Sequence, residues 1–416
     1  MSQLALVLSA GGARGAYEAG VLNYIRTGLP KKYSKRNFDI QTGTSVGAIN
    51  TAGMAAFAHD PEEQGRRLKE LWFSIRQEKV YRRDLSATTH FLGSTVGGIM
   101  RNFMSVNPFK LGKRSGPHFN SIFDTSPLRK FLQGALSWDQ LNKNVERGPI
   151  SAVTIVATNS ATGQAELFLK KKPDLIYQGN YSHHEGPITS DIVLASGAIP
   201  ILFPTVKIGD FYYSDGGMRL FTPMSPAIQL GADKLLVIGL RKRRTLKDYK
   251  IKAIDAPKQA PTISDQMGRI LNGLFLDRVQ SDIEQLDRIN TIVDASEKIF
   301  GKNYLNKLNQ DMQSGKDNYK ADIAKRGLRK IDYVEIQPSE FITGIFLRAF
   351  ERMKKSGFKF SILEKTLLRI MDVDPESGSD LLSYITFYPE YIQELFDLGY
   401  EDARRRRQQL IDILED

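Results

Sequence analysis

Cysteine is absent from the 416 residues, so no disulfide framework, thiolate nucleophile or cysteine-ligated metal is available. Histidine is nearly as scarce. His59, His90, His118, His183 and His184 are the whole supply, and none lies in the last half of the chain. No His/Asp/Glu set has the spacing of a metal site, so neither metal nor cofactor is expected. Long apolar runs are missing too. The longest weakly polar stretch, Thr44–Ala58, contains Asn50 and falls short of the ~20 residues that a bilayer-spanning helix needs. No basic segment precedes the apolar Leu4–Leu8, so the reading expects no signal peptide and a cytoplasmic protein, peripheral to a membrane at most. No G-x-x-x-x-G-K-[ST] occurs anywhere.

Positive charge is in excess, at a formal +11. The clusters Lys31-Lys32, Lys170–Lys172, Arg241–Arg244, Lys354-Lys355 and Arg404–Arg407 are scattered and not interleaved with aromatic residues, which argues against nucleic acid as a partner. Solvated basic faces account for them. Attraction to an anionic membrane surface is the sharper alternative, at about 1 kcal/mol per basic residue that reaches it. A hydrophobic content of 41% suits a packed globular core.

The informative stretch is Gly43-Thr44-Ser45-Val46-Gly47. Phe38–Gln41 before it reads as a strand, and Ala48–Ala58 after it is rich in small residues and long enough for three helical turns. In that setting G-x-S-x-G is a nucleophile elbow, which projects a serine hydroxyl from a strained turn. Gly43 and Gly47 leave room at the bend, and the helix N-terminus faces the place where negative charge would develop. Upstream, Leu4–Leu8 reads as a buried parallel strand. It runs into Ser9-Ala10-Gly11-Gly12-Ala13-Arg14-Gly15, where a glycine-rich turn opens a helix and exposes N–H groups able to hold an anion. A dinucleotide phosphate is one such anion and an acyl-transfer oxyanion the other. The G-x-G-x-x-G spacing is not met, and Asp39 lies within the expected second strand rather than at its end. A serine elbow one strand later favours the oxyanion.

Further along, helices are expected at Glu62–Gln77 and Ser126–Gly134, separated by a long lid-like loop through Gly93–His118. Strands are expected at Ser151–Thr158 and Ala165–Leu169, and a helix over Ile188–Leu202. His183-His184 reads as part of a polar loop. Phe211–Ser214 then delivers Asp215 into Gly216-Gly217. By itself this is an Asp-Gly turn of the commonest kind. A strand at Lys234–Gly239, a basic connector over 241–261, a helix over Ser264–Ala295 and a last strand at Ile331–Ile336 follow. Phe341–Asp416 reads as helical and amphipathic, and Leu381–Tyr388 is among its most apolar pieces.

Taken together, Leu8–Tyr17, Gly43–Ala48 and Asp215-Gly216-Gly217 resemble the patatin-like phospholipases, especially bacterial ones, in order and approximate spacing. Phe123–Leu128, Ala195–Pro204 and Thr222–Asp233 agree with that resemblance, which covers at least residues 4–240. It implies a three-layer α/β/α fold with a mostly parallel sheet. It also implies a Ser–Asp dyad with Ser45 as nucleophile, Asp215 as general base and the Gly11–Gly15 loop (Gly11, Gly12, Ala13, Arg14, Gly15) as oxyanion hole. The loop departs from the family pattern in one place, where Ala10 stands instead of a third glycine. Arg14 reads as a structural partner in preference to a phosphate clamp. The absence of any histidine after Asp215 agrees with a dyad and disfavours a Ser-His-Asp hydrolase or a Ser–His transacylase.

The expected organisation is a catalytic domain over 1–338, with a loop insertion at about 78–125, and a helical C-terminal region over 339–416. That region would pack on the domain, on a partner subunit or on a membrane. The expected activity is carboxylic ester hydrolysis of phospholipid or another lipid ester. A catalytically silent peripheral-membrane scaffold and a nucleotide-binding protein are the alternatives, and a homo-oligomer is compatible with all three.

Overall fold

Leu4–Leu8 forms strand β1, with every side chain buried. A strand covered on both faces has no reason to alternate apolar with polar residues, and this one does not. In the computed structural model, which describes residues 2–82, 121–243, 266, 278–301, 303–314, 327–357 and 379–415, β1 is the middle of a sheet. Parallel neighbours are β2 (Ile40–Thr44) and β8 (Lys234–Ile238), with Leu8 opposite Gly43 and Ile238. Outside these, β3 (Ala152–Asn159) pairs parallel with β2, and β9 (Asp332–Ile336) parallel with β8. The antiparallel part starts at β3, which pairs with β4 (Ala165–Lys171). The sheet order is β5-β4-β3-β2-β1-β8-β9, so β5 (Ser182–Glu185) forms one edge. Beyond the end of β2, β3 pairs antiparallel with β7 (Phe211–Asp215), which forms a hairpin with β6 (Val206–Ile208). Asp215 thus arrives beside β3 just past the tip of β2.

Helices flank the sheet on both sides. They are α1 (Gly15–Gly28), α2 (Lys31–Ser34), α3 (Val46–Ala56), α4 (Pro61–Ser74), α5 (Gln77–Val80), α6 (Ser126–Ala135), α7 (Trp138–Glu146), α8 (Ser190–Ser196), α9 (Met224–Gln229), α10 (Arg278–Phe300), α11 (Asn303–Gln313), α12 (Ile342–Lys355), α13 (Ser379–Ile385), α14 (Pro389–Arg405) and α15 (Arg407–Leu414). Alternation along β2 assigns the two layers. Gly43 faces α3, where Gly47 and Thr51 lie against it. Thr42 and Thr44 point the opposite way and donate to the carbonyls of Pro223 and Leu220, beside α9. The result is a mostly parallel sheet between helical layers, the α/β/α architecture. No helix among the described residues is long and apolar enough to cross a membrane.

Four local expectations need correction or trimming. Helix is confined to Ser190–Ser196 within Ile188–Leu202, because the Thr189 hydroxyl caps its start and Gly197 its end. His183 and His184 lie in edge strand β5, not in a loop. Main-chain pairing with β4 holds this short polar segment extended, with Leu167 opposite His183 and Phe168 opposite His184. Asp39 precedes β2, where its carboxylate accepts from the Leu4 N–H and pairs with Arg36. The downstream helix is described over Arg278–Phe300. The lid-like loop Gly93–His118, His90 before it, most of the basic connector, and Met267, Ile270, Leu271 and Leu274 lie outside the described residues.

The C-terminal helices are joined to the sheet's helical layer by backbone contact. A Cβ on Gly20 of α1 would lie 2.0 Å from the Phe396 carbonyl oxygen, and one on Gly399 of α14 would lie 2.1 Å from that of Tyr17. Arg406 donates to the Glu335 carbonyl at the end of β9. Gly399→Ala must push the two helices apart, at about 1–3 kcal/mol. Calorimetry should show a melting temperature lowered by several degrees; an unchanged value would show that this contact does not hold α14 in place.

Candidate active site

Ser45 joins β2 to α3 with φ 56° and ψ −120°, a conformation that costs a non-glycine residue of order 1–3 kcal/mol. The surroundings hold it there. Its N–H donates to the Ser196 hydroxyl at 2.8 Å, and that hydroxyl donates to the Val156 carbonyl at 2.6 Å. One step past the serine, α3 must start against the end of β1. A Cβ on Gly47 would fall 2.5 Å from the Leu8 carbonyl oxygen, which only glycine avoids.

Across the end of the sheet, the Ser45 Oγ donates to Asp215 Oδ2 at 2.6 Å. The other carboxylate oxygen accepts from the Gly217 N–H at 2.7 Å, within the turn that starts at Gly216. Asp215 is further held by its own N–H to the Ala198 carbonyl and by the Thr158 hydroxyl on its carbonyl. Ser45 is 3% exposed and Asp215 1%. Burial pushes the Asp215 carboxyl up to about 7, against the opposing effect of the bonds from Ser45 and Gly217. Among the described residues, no histidine is hydrogen-bonded to either group. His59 bonds Asn144, and His184 bonds Glu166.

The glycine-rich loop lies directly against the elbow. Gly11 is extended, Gly12–Arg14 make a 3-10 turn, and α1 starts at Gly15, whose Cβ position is filled by the Val46 side chain. Gly12, at φ +56°, is the loop's left-handed residue; Ala10 is not. Ala10 donates to the Phe221 carbonyl and Arg14 to that of Gly11. Among the described residues, the N–H groups of Gly11, Gly12 and Ala13 have no such carbonyl partner. The Arg14 side chain is directed elsewhere. Both Nε and a terminal nitrogen donate to the Ser383 hydroxyl, and the guanidinium lies 3.9 Å from the Tyr384 ring centre. The site therefore brings together a hydroxyl hydrogen-bonded to a buried carboxylate and, on the adjoining loop, N–H groups with no backbone carbonyl partner among the described residues.

With that geometry in hand, the patatin-like phospholipase family model matches residues 6–228. The chain belongs to this family. Among solved structures, VipD from Legionella pneumophila aligns at 16% identity and a TM-score of 0.28, covering 65% of this chain and 56% of VipD. ExoU, in the heterodimeric ExoU–SpcU complex of the Pseudomonas aeruginosa type III secretion system, aligns at 13% identity and a TM-score of 0.26, covering 99% of this chain and 77% of that one. The chain thus spans little more than half the length of VipD. Curated protein sequences yield no match.

One member of this patatin-like site was not anticipated from the sequence. Glu18, fully buried on the first turn of α1, accepts from the Ser9 N–H at 2.8 Å and from Asn50 Nδ2 at 2.8 Å. The Asn50 carbonyl in turn accepts from the Trp72 indole. Glu18 so joins the root of the glycine loop to the elbow helix, and burial pushes its carboxyl up to about 8. A lone acidic residue among alanines and glycines at a helix start, with Asn50 in an otherwise apolar helix, was the available signal.

Asp215 binds its proton more tightly folded than unfolded, so wild-type stability falls as pH rises from the ordinary carboxylate range through about 7. Asp215→Asn lacks that loss. Denaturant unfolding at pH 4.5 and at ~pH 8 should show the difference between variant and wild type moving in the variant's favour at the higher pH. A pH-independent difference would refute a raised Asp215 pKa.

Proposed function

We propose that the protein is a serine lipid acyl hydrolase of the phospholipase A or lysophospholipase kind, with Ser45 as nucleophile and Asp215 as general base. The observation that carries this reading is the 2.6 Å bond from the Ser45 hydroxyl to a buried carboxylate. As Oγ attacks an ester carbonyl, its proton passes to Asp215 and the carbonyl oxygen becomes an oxyanion. The N–H groups of Gly11, Gly12 and Ala13, with the N-terminus of α3, supply the positive potential there. Protonated Asp215 gives the proton to the departing alcohol. It then takes one from the water that attacks the acyl-enzyme, and Ser45 is regenerated. A carboxyl near 7 is suited to this work, since it can be both emptied and filled at neutral pH. Lipid ester as substrate follows from family membership, and a basic protein with no membrane-crossing helix among its described residues would meet that lipid from the aqueous side.

A fluorophosphonate probe should modify Ser45, located by mass mapping, and Ser45→Ala should lose at least about a thousandfold in ester turnover. Equal turnover by the variant would end the reading. The rate on a short-chain ester should fall as pH drops through about 7, because only ionised Asp215 can accept the proton. An acid limb at ordinary carboxylate pH would remove Asp215 from the base role.

A further inference from the structure

The sheet face that bears Asp215 carries a second constellation beside it. Ala157 is opposite Asp215 on one side and Glu166 on the other, so the three side chains share a face. Tyr213 and Phe168, each two positions along its strand, lie on that face too, and His184 is paired with Phe168. The Phe168 ring stacks on His184 and meets Tyr213 edge-on, both at 5.1 Å between centres. These rings, with half-exposed Phe211 and with Ile192 of α8, line a cavity of about 360 Å³, a volume suited to a small organic group. Ile192 precedes Ser196, which holds the Ser45 amide, by four positions. A single turn of helix therefore separates the cavity wall from the elbow.

The charges around the cavity select the ligand. Glu166 accepts from Tyr213 at 2.9 Å, His184 at 2.7 Å and Asn159 at 2.9 Å. Burial alone would raise its carboxyl, but these bonds outweigh burial and hold it below the ordinary range, so it is ionised. The ionisable side chains on the lining are the carboxylates Glu185 and Asp210 and the imidazole of His184. Glu185 also pairs with Lys171 at 3.3 Å. In a chain of formal charge +11, no lysine or arginine lines this cavity among the described residues. A phosphate or fatty-acid carboxylate would face like charge there. A weakly hydrated cation would find aromatic rings, which attract it, and carboxylates at the rim.

We propose that this cavity receives a quaternary ammonium group, the cationic end of a choline-type ester whose carbonyl lies at Ser45. Its substrate aspect rests on the hydrolase reading above; its binding aspect does not. Tetramethylammonium titrated into Ser45→Ala protein, followed by saturation-transfer NMR, should bind saturably, and its neutral isostere neopentane should not compete. Adding Phe211→Ala and Asp210→Asn, both at exposed positions, should weaken that binding at least tenfold. Failure of tetramethylammonium to saturate, an unchanged affinity in that variant, or equal binding of the neutral isostere overturns the proposal. In the active protein, the same two substitutions should lower the ratio of kcat/KM for lysophosphatidylcholine over lysophosphatidylglycerol of equal chain length at least tenfold, and an unchanged ratio overturns the substrate aspect. If wild type turns over no ester at all, the hydrolase reading fails and the binding result still decides the cavity's ligand.

Discussion

A hydrogen bond sheltered from water, from the Ser45 hydroxyl to Asp215, is the contact around which this end of the molecule is arranged. Its strength and its chemistry have one origin. Removing water lowers the local dielectric, which strengthens the bond and at the same time makes the free carboxylate costly, so the acid is weakened toward neutrality. The serine reaches the bond only by adopting an unfavourable backbone conformation. Such a conformation persists where its neighbours over-determine it, and here they do. The Ser45 amide is tied to Ser196, Gly47 abuts the end of β1, and Gly217 holds the far oxygen of the acid.

The glycine loop is fixed by the same close packing from three directions. Glu18 draws its root toward Asn50 of the elbow helix, and Val46 fills the space left by Gly15. From outside, the Tyr384 backbone lies against Gly12, where a Cβ would be 2.2 Å from its carbonyl oxygen. Ser383 and the Tyr384 ring meanwhile occupy Arg14. The C-terminal helices are therefore part of the loop's environment, and α14 lies along α1 with backbone touching backbone. A change in α13 or α14 has a direct physical route to the loop beside Ser45.

How much was legible depended on how local the cause was. Leu4–Leu8 announces a doubly covered strand by composition, and G-x-S-x-G announces a bend by its glycines, since both requirements act within a few residues. The segment Ser182–Glu185 could not be read this way. Its polar residues are extended because β4 offers hydrogen bonds to an edge, a cause lying elsewhere in the chain. Glu18 escaped notice for a similar reason. A glutamate on a first helical turn is usually solvated, and only the tertiary packing around α1 buries this one, with Ser9 and Asn50 as its partners. Arg14, adjacent in sequence to the loop's glycines, turned out to belong with Ser383, 369 positions away.

Residue types and their short-range spacing were sufficient for the strand–turn–helix around Ser45, because that bend depends on interactions spanning one element and its neighbour. The family and the layered α/β/α architecture came from the resemblance of separated motifs to a known family. Tertiary packing alone decided that an aspartate 170 positions downstream would lie within hydrogen-bond reach of that serine, and how far its proton affinity would rise. It also decided that Glu166, His184, Phe168 and Tyr213 would gather into one cavity wall. Distances across strands and exclusion of water are properties of the assembled sheet and its helices, and no local stretch of chain encodes them.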